Sequence, residues 1–178
     1  MSDQLTKIDW LEQGLKTLGQ DGAAGLKADL LARALGVSRG SFYWHFKDVE
    51  MYRLAVLDHW RLRMTQNVID FIDDRGRDTS RLSVLLARAL RSDMRLERAV
   101  RAWATSHPQV AGAVDTVDKQ RIAYVVELLR AEGVSPEHAA KRGRFLYWAF
   151  LGQAAMCDPS QDRFGDADIA DIVHLILG

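Results

Sequence analysis

The sequence is poor in cysteine, in proline and in net charge. Its one cysteine, Cys157, can close no internal disulfide, which excludes a stapled secreted scaffold and suits a reducing compartment. Only three prolines interrupt a chain rich in Leu, Ala and Arg, a balance that favours helix over sheet. Long apolar runs are missing too. The longest, residues 145–157, falls short of the roughly 18–20 residues that span a bilayer. Met1-Ser-Asp-Gln offers neither the basic nor the apolar segment of an export signal. A cytoplasmic protein without a membrane partner is expected. Catalytic constellations are equally scarce. His45, His59, His107, His138 and His174 have no metal-ligand spacing with each other or with Cys157. Gly19, Gly22 and Gly25 do not fit a dinucleotide fingerprint, and they follow a helical pattern rather than a strand. No Ser-His-Asp or paired-carboxylate arrangement stands out. Neither an enzyme, a metal site nor a cofactor is expected.

What is present is helical spacing throughout, with no repeat and no strand-like alternation. Ile8, Leu11, Leu15 and Leu18 mark a first amphipathic helix, ended by the glycine-rich segment 19–25. A short helix over 27–35 follows, with Leu30, Leu31 and Ala34 as its buried side. Gly36 then suits the left-handed turn that stops a helix. Val37 plugs the core and Ser38 is a good cap for a helix over 39–45, anchored by Phe42 and Phe46. Two short helices about a glycine turn make a helix-turn-helix. The run Val49, Tyr52, Val56, Trp60, Met64, Val68, Phe71 predicts one long connecting helix, followed by a polar loop over 73–80. Further helices are expected from Ser80 to about Asp93, over 96–105 (stopped before Pro108), from about Val110 to 132, over 137–157, and over 168–177. The division expected from this pattern is a helix-turn-helix domain over 1–48 and a helical domain over 49–178.

Charge is distributed informatively although it sums to zero. No acid lies between Asp29 and Asp48, an interval holding Arg33, Arg39, His45 and Lys47. Such a window looks like a local docking face inside a balanced chain. The segment Gly36-Val-Ser-Arg-Gly-Ser-Phe-Tyr-Trp-His-Phe-Lys47 closely resembles the recognition segment of the TetR family of transcriptional regulators. Turn glycine, cap serine and the Tyr-x-His-Phe block coincide in register, and the resemblance extends over about residues 5–60. Two positions depart from the pattern. Leu26-Lys27 replaces the usual Thr or Ser cap, and Leu35 stands where alanine is common.

The resemblance implies an all-α fold in which this helix enters the major groove of double-stranded DNA. Its contacts would come from Lys27, Ser38, Arg39, Gly40, Ser41, Tyr43, Trp44, His45 and Lys47. The forked guanidinium of Arg39 matches the two acceptors of guanine, with Ser41 and Trp44 on the same exposed side. Lys27, Ser38, Tyr43, His45 and Lys47 suit phosphates, which orient without specifying sequence. The bland alternatives are that Tyr43 packs on the first helix and that His45 caps a carbonyl. Beyond about residue 70 the resemblance implies architecture only: a helical domain that dimerises through its last two long helices and holds a small-molecule effector. Phe145, Trp148, Ala149, Gly152 and Ala155, with Ile169, Ile172, Val173 and Ile176, supply apolar faces for a homodimer, as a symmetric DNA site asks; the alternative is a monomer core. Trp60, Met64, Trp103, Tyr124, Trp148 and Met156 are the candidate pocket side chains, each equally explicable as core or interface. Arg88, Arg91, Arg95 and Arg98, interleaved with Asp93 and Glu97, read as a solvated face. The expected function is a repressor released from a palindromic operator by a ligand. The alternatives are a ligand-independent architectural DNA-binding protein and, further off, an enzyme on a helical fold.

Overall fold

The structure, a computed structural model, describes residues 5–75, 80–156 and 164–178, and among these there are helices and turns but no strand. The helices are α1 Lys7–Asp21, α2 Ala28–Ala34, α3 Arg39–His45, α4 Val49–Arg61, α5 Asn67–Asp73, α6 Arg81–Leu90, α7 Arg95–Ala104, α8 Pro108–Ala131, α9 Pro136–Ala155 and α10 Asp166–Leu177. The all-helical class follows the sequence. The expected end of α9 at Cys157, the break at Asp158-Pro159 and most of the loop before Ser80 lie outside the described residues.

Packing divides the chain into two units, and not at residue 48. One unit runs to Met64 and includes Arg95–Val114; the other holds Thr65–Met94 and Asp115–Gly178. The reason is that α1 packs on α4 and still more extensively on α7, so both join the N-terminal helices.

In the first unit, α1 begins with a reciprocal cap. Thr6 accepts from the Asp9 amide at 3.3 Å while the Asp9 carboxylate accepts from the Thr6 amide at 2.7 Å. The inner face of α1 is Trp10, Leu11, Gly14, Leu15 and Leu18, and Ile8, expected there, is exposed. Gly14 is a close approach: a Cβ there would lie 2.3 Å from Tyr52 Oη and 2.6 Å from Val56 Cγ2. The Tyr52 hydroxyl crosses over it to donate to the Trp10 carbonyl at 2.8 Å. On α2 the buried side is Ala28, Leu31 and Ala32. Leu30 and Ala34, expected inside, face out; Leu31 points inward, and its i−3 and i+1 neighbours share its face. Gly36 has φ +69°, as the turn requires. Ser38 occupies the N-cap position of α3, but its side chain accepts nothing from the helix. The first turn is closed by the backbone instead, Ser41 N to Ser38 O at 3.0 Å. Asp48 caps α4 by accepting from the Met51 amide at 2.8 Å.

The expected single helix over 49–71 contains a π turn at Leu62–Gln66. The buried stripe Tyr52, Val56, Trp60 therefore steps by five residues to Thr65 and continues to Ile72. Met64 is only half-buried and Phe71 is exposed, one residue out of phase with the simple helical pattern.

The second unit has its own core of Ile72, Leu82, Leu86, Tyr124, Val125, Leu128, Leu129, Ala139, Leu146, Ile169 and Ile176, with Ile172 and Val173 packed against it. Ile169 and Ile176 of α10 are thus buried inside the protomer, whereas Leu175 on the same helix is 78% exposed. Arg142 clamps the helix end by donating from Nη1 to the carbonyls of Ile176 and Leu177, at 2.5 and 2.9 Å, where a cation meets the negative end of the helix dipole. The α9 residues Phe145, Trp148, Ala149, Gly152 and Ala155 remain exposed. Pro108 opens α8 as its first residue, a position where the missing amide costs nothing.

Candidate nucleic-acid interface

The chemistry-bearing helix is α3, and its two sides are built differently. The inner side is aromatic and locked. Phe42 is fully buried, with its ring 5.4 Å from Trp10, 5.3 Å from Phe46 and 5.2 Å from Tyr52. The pairs with Trp10 and Tyr52 are edge-to-face, and each such pair adds about 0.5–1.5 kcal/mol beyond burial. They fix the rotation of a seven-residue helix that would not persist alone. Burial also raises the Tyr52 phenol above its ordinary range, so it stays a neutral donor to Trp10.

The outer side is open. Trp44 is 86% exposed, far more than an indole with a packing role. Arg39, Tyr43 and Lys47 are exposed, as are Lys27, Ser38 and Gly40, while Ser41 and His45 are half-buried. Arg39 Nη2 donates to the Tyr43 hydroxyl at 3.1 Å, and its guanidinium lies 5.7 Å from the Tyr43 ring centroid. The Tyr43 ring meets that of Phe42 edge-on at 5.2 Å. His45 lies against Trp10 and Phe46, at 6.5 and 6.3 Å between rings. All nine expected contact residues thus lie on α3, on its flanking turns or at the start of α2.

The sequence reading passed over several residues that bear on this face. Lys7 sits with its ammonium 5.6 Å from the Phe46 ring, beside the C-terminal end of α3. Glu12 of α1 accepts from His59 of α4 at 2.9 Å and also pairs with Arg63. Burial pushes the His59 imidazole below its ordinary value. No local signal announces pairs 47 or 51 residues apart in the chain. Glu97 is buried on α7 and paired with Arg101 at 2.8 Å; the sequence had placed it on a solvated face.

The candidate effector residues scatter. Trp60 and Trp103 are buried and Met64 half-buried in the first unit. In the second, Tyr124 is buried and donates to Asp73 at 2.7 Å, whereas Trp148 and Met156 are 61% and 55% exposed. A groove of about 340 Å³ between α1 and α2 is lined by Gln13, Lys16, Gln20, Asp21 and Leu30 among others, and by none of these six. Among the described residues no group of His, Cys, Asp or Glu is placed to hold a metal, and no helix is long and apolar enough to cross a membrane.

Residues 11–50, from α1 to the start of α4, match the family described as bacterial regulatory proteins, tetR family. These residues are similar to the N-terminal segment of that family. Solved structures share the fold along nearly the whole chain. Reduced NemR of E. coli superposes with TM-score 0.77 at 18% identity, covering 97% of each chain. GusR of Salmonella enterica gives 0.72 at 16%, over 99% of this chain and 95% of that one. AibR, solved with isovaleryl coenzyme A and operator DNA, gives 0.65 at 16%, over 94% and 95%. At such identities the likeness is one of fold. Comparison with curated protein sequences finds no match.

Proposed function

We propose that the protein is a DNA-binding transcriptional regulator of the tetR type, a cytoplasmic repressor that binds a palindromic operator as a homodimer and is released by a small-molecule effector. The observation that carries this reading is the division of α3 into a locked aromatic side and an open side bearing Arg39, Tyr43 and the bare indole of Trp44. A recognition helix has to be held rigidly from behind and free in front. Arg39 reads a base edge, Ser41 and Trp44 approach neighbouring bases or sugars, and Lys27, Ser38, His45 and Lys47 meet phosphates, with Gly40 between them. No residue is assigned a catalytic role.

The exposed α9 face of Phe145, Trp148, Ala149 and Gly152 supports dimerisation, because a contiguous apolar helix face is ordinarily covered by a partner. Trp148 and Met156 fit that face better than a pocket, and of the remaining candidates Trp60, Met64 and Trp103 share the first unit. Two recognition helices must meet half-sites about 34–36 Å apart, or a multiple of it. An effector that prefers a protomer geometry with another spacing therefore lowers operator affinity, by no more than its own preference between the two states.

The test begins with selection of a binding site from a randomised duplex pool, followed by fluorescence anisotropy on that site and on a random duplex across a salt series. Tight, salt-dependent binding to a palindrome is expected. Equal weak binding to both duplexes contradicts sequence reading, and absence of binding at low salt contradicts the DNA interface itself. An effector that binds yet leaves operator affinity unchanged removes the release mechanism for that effector.

A further inference from the structure

The family resemblance placed Tyr43 among the phosphate contacts. Its contacts assign it differently. Residues 39 and 43 are one helical turn apart, so their side chains share a face of α3. The Tyr43 hydroxyl accepts from Arg39 Nη2 at 3.1 Å and the guanidinium sits 5.7 Å from the ring centroid. The Tyr43 ring is itself fixed, at 5.2 Å and 82° to Phe42. Phe42 is 0% exposed and wedged among Trp10, Phe46 and Tyr52. A continuous set of ring contacts therefore runs from the core of the unit to the outermost charged group of α3.

We propose that Tyr43 is a positioning residue for Arg39: it holds the guanidinium in one place before DNA arrives, and so sets how sharply Arg39 discriminates among bases. This rests on the DNA-reading function proposed above and deepens it. An unrestrained arginine is among the costliest side chains to immobilise. The bond to Tyr43 uses one of five N–H donors and leaves four, whereas guanine N7 and O6 need two. The restraint is therefore compatible with bidentate contact and pays its entropic cost in advance.

The decisive variant is Tyr43→Phe, which keeps the ring packed on Phe42 and removes only the hydroxyl. Binding is measured by anisotropy on the selected site, on that site with the Arg39-read base pair changed, and on a random duplex, in the wild-type and Arg39→Ala backgrounds. Discrimination at that base pair is expected to fall about three- to tenfold in Tyr43→Phe, with random-duplex affinity and melting temperature unchanged. In the Arg39→Ala background the same substitution should change nothing further. Equal losses on all three duplexes, persisting without Arg39, would make Tyr43 a phosphate contact and overturn the positioning role. Unchanged discrimination with unchanged affinity overturns it as well. If the wild-type protein fails to distinguish the selected site from random DNA, the DNA-reading function falls first and this role with it.

Discussion

Gly14→Ala tests the packing that holds the recognition helix in place. In an open helix interior the change should gain about 1 kcal/mol, the propensity difference between the two residues. Here the new methyl would lie 2.3 Å from Tyr52 Oη, 2.6 Å from Val56 Cγ2 and 3.1 Å from Tyr52 Cζ. Two of its three nearest neighbours belong to a buried ring that cannot swing away, since Tyr52 is 0% exposed and bonded to Trp10. Overpacking of this kind costs about 1–3 kcal/mol. Displacing the Tyr52 hydroxyl from its carbonyl adds about 1 kcal/mol. The penalties outweigh the propensity gain, and a net loss of about 1–3 kcal/mol is expected. With a urea m-value near 2 kcal/mol/M the unfolding midpoint should fall by about 0.5–1.5 M at unchanged m. The assay is equilibrium urea unfolding followed by circular dichroism. Gly112→Ala serves as the control, because a Cβ at Gly112 of α8 meets nothing within 4 Å and should leave stability level or raise it. In a Tyr52→Phe background the Gly14→Ala penalty should shrink by about 1 kcal/mol, since the closest clash is gone while Val56 remains. A stability gain at Gly14 equal to that at Gly112 would refute the argument that α1 and α4 touch there.

Arg39→Ala should cost about 1–3 kcal/mol on the operator and relax preference at one position, whereas Lys47→Ala should weaken all sequences alike and lower the salt slope by about one; parallel losses on operator and random DNA would remove Arg39 as a base reader. Trp148→Glu on α9 should convert dimer to monomer in sedimentation equilibrium and abolish palindrome binding without lowering helicity, and an undisturbed dimer would move the interface elsewhere. His59 is held below its ordinary 6.5 by burial, and Glu12, which Arg63 also engages, does not restore it. The unfolded chain therefore binds the proton more readily, so this contribution to stability is intact above about pH 7 and is lost as pH falls through 6.5 toward the lowered folded value. His59→Gln should flatten that part of the urea-midpoint profile, and an unaltered profile would place the acid sensitivity elsewhere.

The recognition segment was legible because its determinants are local. A turn glycine, an extended residue before the helix and two inward phenylalanines four residues apart each act within a turn or two. The hydroxyl of Ser38 was over-read, since a residue suited to capping can hold the position while the backbone closes the turn. Burial on α2 was misjudged because seven residues are too few for periodicity to choose among faces 100° apart, and only the partner helix decides. The apolar stripe of α10 could not reveal its allegiance: Ile169 and Ile176 serve their own core, and a monomer core and a dimer seam demand the same residues. The pairing of Glu12 with His59 and the burial of Glu97 depend on how distant helices meet, which no spacing records. The division of the chain was obscured for the same reason, because α7 joins α1 across more than seventy residues of sequence.

The π turn at Leu62–Gln66 also bears on how the gene can vary. Five residues there occupy a turn that an α-helix fills with about four, so the helix carries one codon more than its two buried faces require. Loss of a single codon within that turn should leave Trp60 on one side and Ile72 on the other facing as they do now. The same loss a few residues to either side would turn the residues between it and the π turn by about 100°, taking inward residues there off their face. The π turn is thus a stretch of this helix that could give up one residue by closing to an ordinary α turn.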